Sequence, residues 1–178
     1  MIYIFGDSFA ADNSGWPGLF GEVKNFATRG SSEYRIWRKY TEHRHCIAIT
    51  DTVIFCHTSW SRVYLKDENT SLLSRSLASH PQCDILLGDI TAKRETKFMN
   101  IIGEIWDEDF QKYIHSKVIT DCMDVPNSIH ISFFQENKKY GIQDFSKYRY
   151  DYPGKTNHMD KVGNNLVAGE LLNVLKHT

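Results

Sequence analysis

Apolar and polar residues alternate along this chain in short blocks of two kinds. Ile2-Tyr3-Ile4-Phe5, Thr52-Val53-Ile54-Phe55-Cys56 and Ser128-Ile129-His130-Ile131-Ser132-Phe133 are compact runs rich in β-branched and aromatic residues. Gly6, Asp51 and the polar His57-Thr58-Ser59 bound them. Such runs predict buried strands. Between them the spacing turns helical. Gly15-Trp16-Pro17-Gly18 opens a short helix, with Pro17 suited to a first turn. Ser31 and Ser32 offer caps for a helix to about residue 43, with Tyr34, Trp37 and Tyr40 along one stripe. A region from about 95 to 123, in one piece or two, carries Ile101, Ile105, Phe110, Ile114 and Val118 on one face. The last helix, about 160 to 176, offers Val162, Leu166, Leu171, Leu172 and Val174 for burial. Residues 66–94 read as an excursion around Ile85-Leu86-Leu87, and 136–157 as a polar, tyrosine-rich loop. Strands alternating with helices predict a small parallel sheet covered on both faces. No repeat or linker divides the chain, so one domain over 1–178 is expected.

Composition narrows the function classes. Hydrophobic residues make up 41% and charged residues 24%, a globular balance rather than a disordered one. A net charge of -1 removes any general attraction to nucleic acid or to an anionic membrane. No apolar run approaches the ~20 residues of a membrane span. The first residues lack the basic start and cleavage site of a secretory signal, so a cytoplasmic setting is expected. Cys46, Cys56, Cys83 and Cys122 form no CxxC pair and read as reduced structural thiols. His43-Arg44-His45-Cys46 invites a metal reading, but the two histidines would face different ways on a helix and no second cluster matches them. There is no phosphate-binding glycine loop. Neither a metal nor a cofactor is expected.

Gly6-Asp7-Ser8 stands where the first strand should end. In open parallel sheets ligands bind outside the carboxyl ends of strands, so a serine there can be exposed on a tight turn. The plain alternative is a turn whose Asp and Ser bond local backbone. At the other end, Asn157-His158-Met159-Asp160-Lys161-Val162-Gly163 puts a histidine just before an amphipathic helix. Serine becomes an effective nucleophile only when a base takes its proton, and histidine can do so near neutral pH.

As a set these segments resemble the SGNH/GDSL hydrolase superfamily. Ile4-Phe5-Gly6-Asp7-Ser8-Phe9-Ala10 is similar to its first block, with Gly15-Trp16-Pro17 as a companion. Asn25-Phe26-Ala27-Thr28-Arg29-Gly30-Ser31-Ser32 is similar to its second, and the segment around His158 to its last. The resemblance implies a three-layer α/β/α sandwich of SGNH-hydrolase type with flavodoxin-like topology. It further implies a serine esterase with Ser8 as nucleophile, His158 as base, and the N–H groups of Ser8 and Gly30 in an oxyanion hole. The substrate implied is a small acyl ester, such as an acetyl group on a sugar or related carrier.

Two positions depart from the family pattern. The aspartate usual three residues before the histidine is replaced by Lys155, so a Ser–His dyad or a non-standard triad is expected, with the histidine oriented by a backbone carbonyl or by an acid elsewhere such as Asp151. The usual Gly-x-Asn-Asp block reads Cys56-His57-Thr58-Ser59-Trp60-Ser61-Arg62. Thr58 or Ser59 then stands in as oxyanion donor, and Arg62 pairs with an anionic group or braces the loop. Asp7, Tyr148 and Arg149 are further supporting or substrate-binding candidates. The bases and tyrosines of 136–157 point to a polar, anionic or sugar-bearing substrate rather than a long lipid. The rival readings are an SGNH-fold binding or regulatory protein without catalysis, and a flavodoxin-like structural protein in which Gly-Asp-Ser is only a turn.

Overall fold

The protein is described over residues 1–64, 84–86, 107–154 and 158–177 of a computed structural model. Five strands form its main sheet: β1 (Ile2–Gly6), β2 (Val23–Asn25), β3 (Thr52–His57), β6 (Ser128–Ser132) and β7 (Gln143–Asp144), in the order β2-β1-β3-β6-β7. Every neighbouring pair is parallel. A separate antiparallel ribbon pairs β4 (Arg62–Val63) with β5 (Ile85–Leu86). The helices are α1 (Glu33–His43), α2 (Glu108–Met123), α3 (Ser146–Asp151) and α4 (Lys161–Leu175), with 3-10 turns at Trp16–Phe20 and Gln135–Tyr140.

Alternate strand residues point to opposite faces, and each face has its own core. Ile4, Ile54 and Ile131 pack with Trp16, Val167 and Leu171 on one side. Tyr3, Phe5, Val53 and Phe55 pack with Ile36, Val118 and Cys122 on the other. Helices therefore cover both faces, and the molecule is a three-layer α/β/α sandwich. The chain leaves β1 for β2 on one side and then crosses to β3 on the other. The carboxyl ends of β1 and β3 thus flank the point where strand order reverses, where such sheets bind ligands.

The three strands read from the sequence are present. β2 and β7 were missed, being only three and two residues long. Both are edge strands with half-exposed positions, so neither shows an apolar run. The 136–157 segment is more ordered than its lack of period suggests: a 3-10 turn, β7 and α3 occupy it. Two helical faces are rotated from the expected ones. On α4, Val162, Leu166 and Leu172 are exposed, while Gly163, Val167, Ala168 and Leu171 are buried. On α2, Phe110 is exposed, whereas His115, Val118, Ile119 and Cys122 are buried. Ile101 and Ile105 lie outside the described residues, as does most of the 66–94 excursion. In α1 Ile36 is buried and Trp37 and Tyr40 pack beside the core, while Tyr34 is exposed against Tyr64. Among the described residues no helix is long and apolar enough to cross a membrane. Cys46, Cys56 and Cys122 are free thiols, and Cys83 lies outside the described residues.

Candidate active site

Ser8 sits half-exposed in the turn that leaves β1. The turn is fastened from several directions. Asp7, fully buried, accepts the Phe9 N–H at 3.0 Å through its own carboxylate, and the Ala10 N–H donates to the Asp7 carbonyl at 3.1 Å. The Trp16 indole N–H donates to the Phe9 carbonyl at 2.8 Å, and the Asn25 amide donates to the Ala10 carbonyl at 2.7 Å. Ser8 is thus held between rigid neighbours. The bracing roles of Trp16 and Asn25 escaped sequence reading, although both residues stood in the blocks it singled out.

The second block runs alongside. Thr28 N–H donates to the Gly6 carbonyl at 3.0 Å, and a turn closes from Ser31 N–H to the Thr28 carbonyl with Gly30 left-handed at φ 72°. Among the described residues no hydrogen bond engages the N–H of Ser8 or of Gly30. The Gly30 carbonyl accepts from Asp84 N–H at 3.0 Å, and Asp84 also binds Ser32 N–H at 2.7 Å and the Arg35 guanidinium at 2.6 Å.

His158 arrives from the far end of the chain. Pro153 and Met159 form an antiparallel bridge, the Gly154 N–H donates to the His158 carbonyl at 2.6 Å, and the Asp160 N–H donates to the Tyr152 carbonyl at 2.9 Å. Asp160 then caps α4 by accepting the Gly163 N–H at 2.8 Å. The His158 ring lies 5.0 Å from the ring of Phe9, the residue after Ser8. Phe9 in turn stacks on Phe133 at 4.6 Å and meets Phe134 edge-on at 5.8 Å. The chain's two ends therefore meet at the carboxyl edge of the sheet.

The third block is bonded within the protein. Thr58 donates its hydroxyl to Asp7 at 3.0 Å and its backbone N–H to Glu33 at 3.1 Å. Ser59 donates its hydroxyl to Glu136 at 2.7 Å. The Thr58 N–H and both hydroxyls are thus engaged within the protein. Arg62 braces the loop, its Nε donating to the Thr58 hydroxyl at 3.1 Å. Burial raises the pKa of Asp7, and the charge of Arg62, the Phe9 and Thr58 hydrogen bonds and the charge of His158 work against that rise. Asp151 is exposed at the end of α3 and has no hydrogen bond or ion pair with any described residue. Tyr148 is buried, and its hydroxyl donates to Glu170 on α4. Lys155 lies outside the described residues.

Beneath this edge runs a buried polar chain that the sequence did not announce. Ser128 donates its hydroxyl to the Val125 carbonyl at 2.6 Å and so accepts from His130 Nε2 at 2.7 Å. His130 Nδ1 then accepts from His57 Nε2 at 2.9 Å, and His57 Nδ1 donates to Glu33 at 2.6 Å. Burial first, and the charge of His57 second, push the His130 pKa down to about 3. Burial opposes the charge of Glu33, but His57 and the Thr58 N–H outweigh it and hold the carboxyl below its ordinary range. Glu33, His57 and Cys122 bring ligand-type atoms within 4.8 Å of one another. They do not fit a resident metal. The Glu33 oxygens and His57 Nδ1 are already hydrogen-bonded, and burial drives the Cys122 thiol up, away from the thiolate a metal needs.

No family model matches the chain, and no curated protein sequence is significantly similar to it. Among solved structures, a lipolytic protein is similar over nearly the whole length. That crystal structure, of a member of the lipolytic protein G-D-S-L family from Veillonella parvula DSM 2008, is 13% identical, with a TM-score of 0.46 over 99% of this chain and 98% of that one. At that level of identity the chemistry of the site is read from its own geometry.

Proposed function

We propose that the protein is a serine esterase of SGNH/GDSL type acting on a small acyl ester. The observation that carries this is the meeting of the two chain ends: His158 packs against the residue following Ser8, at the switch point of the sheet. In the reaction, Ser8 Oγ attacks the ester carbonyl carbon and passes its proton to His158. The oxyanion that forms is met by the N–H groups of Ser8 and Gly30, fixed by their turns before the reaction begins. Collapse breaks the carbonyl–alcohol bond, and the alcohol leaves with the proton from His158. Water, deprotonated by His158, then releases the acid and restores Ser8. Asp7 tunes and braces the nucleophile turn, and Arg62 steadies Thr58 beneath it. The role of Asp151 as orienting acid gains no support from its exposed side chain, which has no partner among the described residues.

A fluorophosphonate probe tests the reading. The expected outcome is covalent labelling of the native protein at Ser8, with none in Ser8→Ala. His158→Gln should lower ester turnover by at least ~10³-fold while unfolding normally in urea. A folded native protein that resists the probe, or a Ser8→Ala variant that labels equally, overturns it. That result would favour a binding protein on the same fold, the reading supported by the engagement of the Thr58 donors.

A further inference from the structure

Among the described bases of the segment leading to His158, Arg149 lies against the candidate site. Lys147 is tied to Glu170 at 3.3 Å, and Lys139 lies over Tyr140. Arg149 behaves differently. From α3 its guanidinium reaches back across the carboxyl edge of the sheet, 5.5 Å from the centre of the Phe9 ring and 5.3 Å from that of Phe134. Phe9 is the same ring that meets His158. Arg149 is half-buried there, and among the described residues it makes no hydrogen bond or ion pair. The neighbouring charges are committed elsewhere. Arg62 serves Thr58 and Asp7, and Asp12 pairs with Arg29 at 3.5 Å.

A guanidinium resting on aromatic faces has its plane fixed and part of its hydration removed. Its N–H donors lie in the plane, at the edges, and that fork matches carboxylate and phosphate oxygens. Being half-buried, the guanidinium keeps an open edge at which an anion can be met. Given the hydrolase reading above, on which this rests, we infer that Arg149 is a specificity residue that selects esters carrying a negative charge. The substrate class is an ester with a carboxylate or phosphate near the scissile bond. The rings of Phe9 and Phe134 supply the floor, and His158 stands at its other margin.

The test compares matched ester pairs in the native protein, Arg149→Gln and Arg149→Lys. One pair is p-nitrophenyl hemisuccinate against p-nitrophenyl butyrate, which places a carboxylate on the acyl side. The other is monoacetylglycerol phosphate against glycerol monoacetate, which places a phosphate on the alcohol side. The readout is the ratio of kcat/KM for the charged over the neutral member. The native ratio should exceed 10 in at least one pair, fall toward 1 in Arg149→Gln, and recover in part in Arg149→Lys, since lysine restores the charge without the fork. The pair that responds identifies the source of the anion. Native ratios near 1 in both pairs overturn the inference, as does a ratio that survives in Arg149→Gln. Fluorophosphonate labelling in parallel separates the two levels. A labelled enzyme with no charge preference loses only this inference, whereas an unlabelled one loses the hydrolase reading and this inference with it.

Discussion

Gly6 and His130 show how single residues set the terms of this site. A Cβ on Gly6 would stand 2.6 Å from the Cβ of Cys56 and 3.2 Å from that of Ala10. The close approach of β1 to β3, and the sharp exit into the Ser8 turn, therefore need glycine there. Gly154 meets the same demand at the other end, where a Cβ would lie 2.5 Å from the Met159 carbonyl. His130 sets a pH dependence. Its folded pKa of about 3 lies below the ordinary histidine value of 6.5, so between these limits the unfolded chain binds the extra proton. Stability is then fully present above pH 6.5 and is lost as pH falls toward 3. One such group changes the unfolding free energy by at most about 1.4 kcal/mol per pH unit. Urea titrations between pH 6.5 and 5, above the range in which Glu33 protonates, should show this slope. His130→Asn should be less stable at pH 7, because Ser128 loses the Nε2 donor and the ring's packing on Phe55 is lost, but should show a shallower fall. An unchanged slope in that variant would show that His130 is not the group responsible.

Elements carry the site's two halves to one place, and α4 does so with little slack. Asp160 caps its first turn, and Asn164 on the next turn accepts the Trp16 N–H at 2.9 Å while its amide donates to the Asp160 carbonyl at 2.8 Å. The 3-10 turn that braces Ser8 is thereby fastened to the helix that follows His158. Asp160→Ala should cost about 1 kcal/mol of stability, the usual worth of a cap. It should lower ester turnover by more than that loss of folded protein explains, because His158 lies two residues before the cap. Differential scanning calorimetry beside initial rates at a fixed ester concentration separates the two effects. Turnover that falls only in proportion to folded protein would show that the cap does not position His158. The helix itself was legible in the sequence, from Asp160 and its apolar positions. Its buried face was not, because small residues decide it. Gly163 and Ala168 let α4 lie close to the chain beneath, and Val162, Leu166 and Leu172 are left outside.

Across the whole molecule the sandwich is closed by contacts between parts remote in sequence. Asp84, beyond the β4 ribbon strand, is buried against Arg35 of α1 at 2.6 Å and holds the Gly30 turn through its own N–H. Breaking a buried pair leaves an uncompensated charge, so Asp84→Asn should cost about 3–5 kcal/mol in chemical denaturation. It should also reduce probe labelling at Ser8, since the segment whose N–H holds the Gly30 carbonyl loses its anchor on Arg35; a loss under 1 kcal/mol would mean the pair is not the tie it resembles. The linear pattern by itself determined the three long strands, their punctuation by glycine, serine and aspartate, and the pairing of Ser8 with His158 as candidates. Buried strands and capped helices write their periods into neighbouring residues, and short motifs keep their spacing. The tertiary structure alone decided that the Thr58 hydroxyl bonds Asp7, that Tyr148 ties α3 to α4, and that Arg149 lies over Phe9. Those outcomes depend on partners distant in sequence, and hydrogen bonds and ring stacking act only over a few ångströms in space, whatever the separation along the chain.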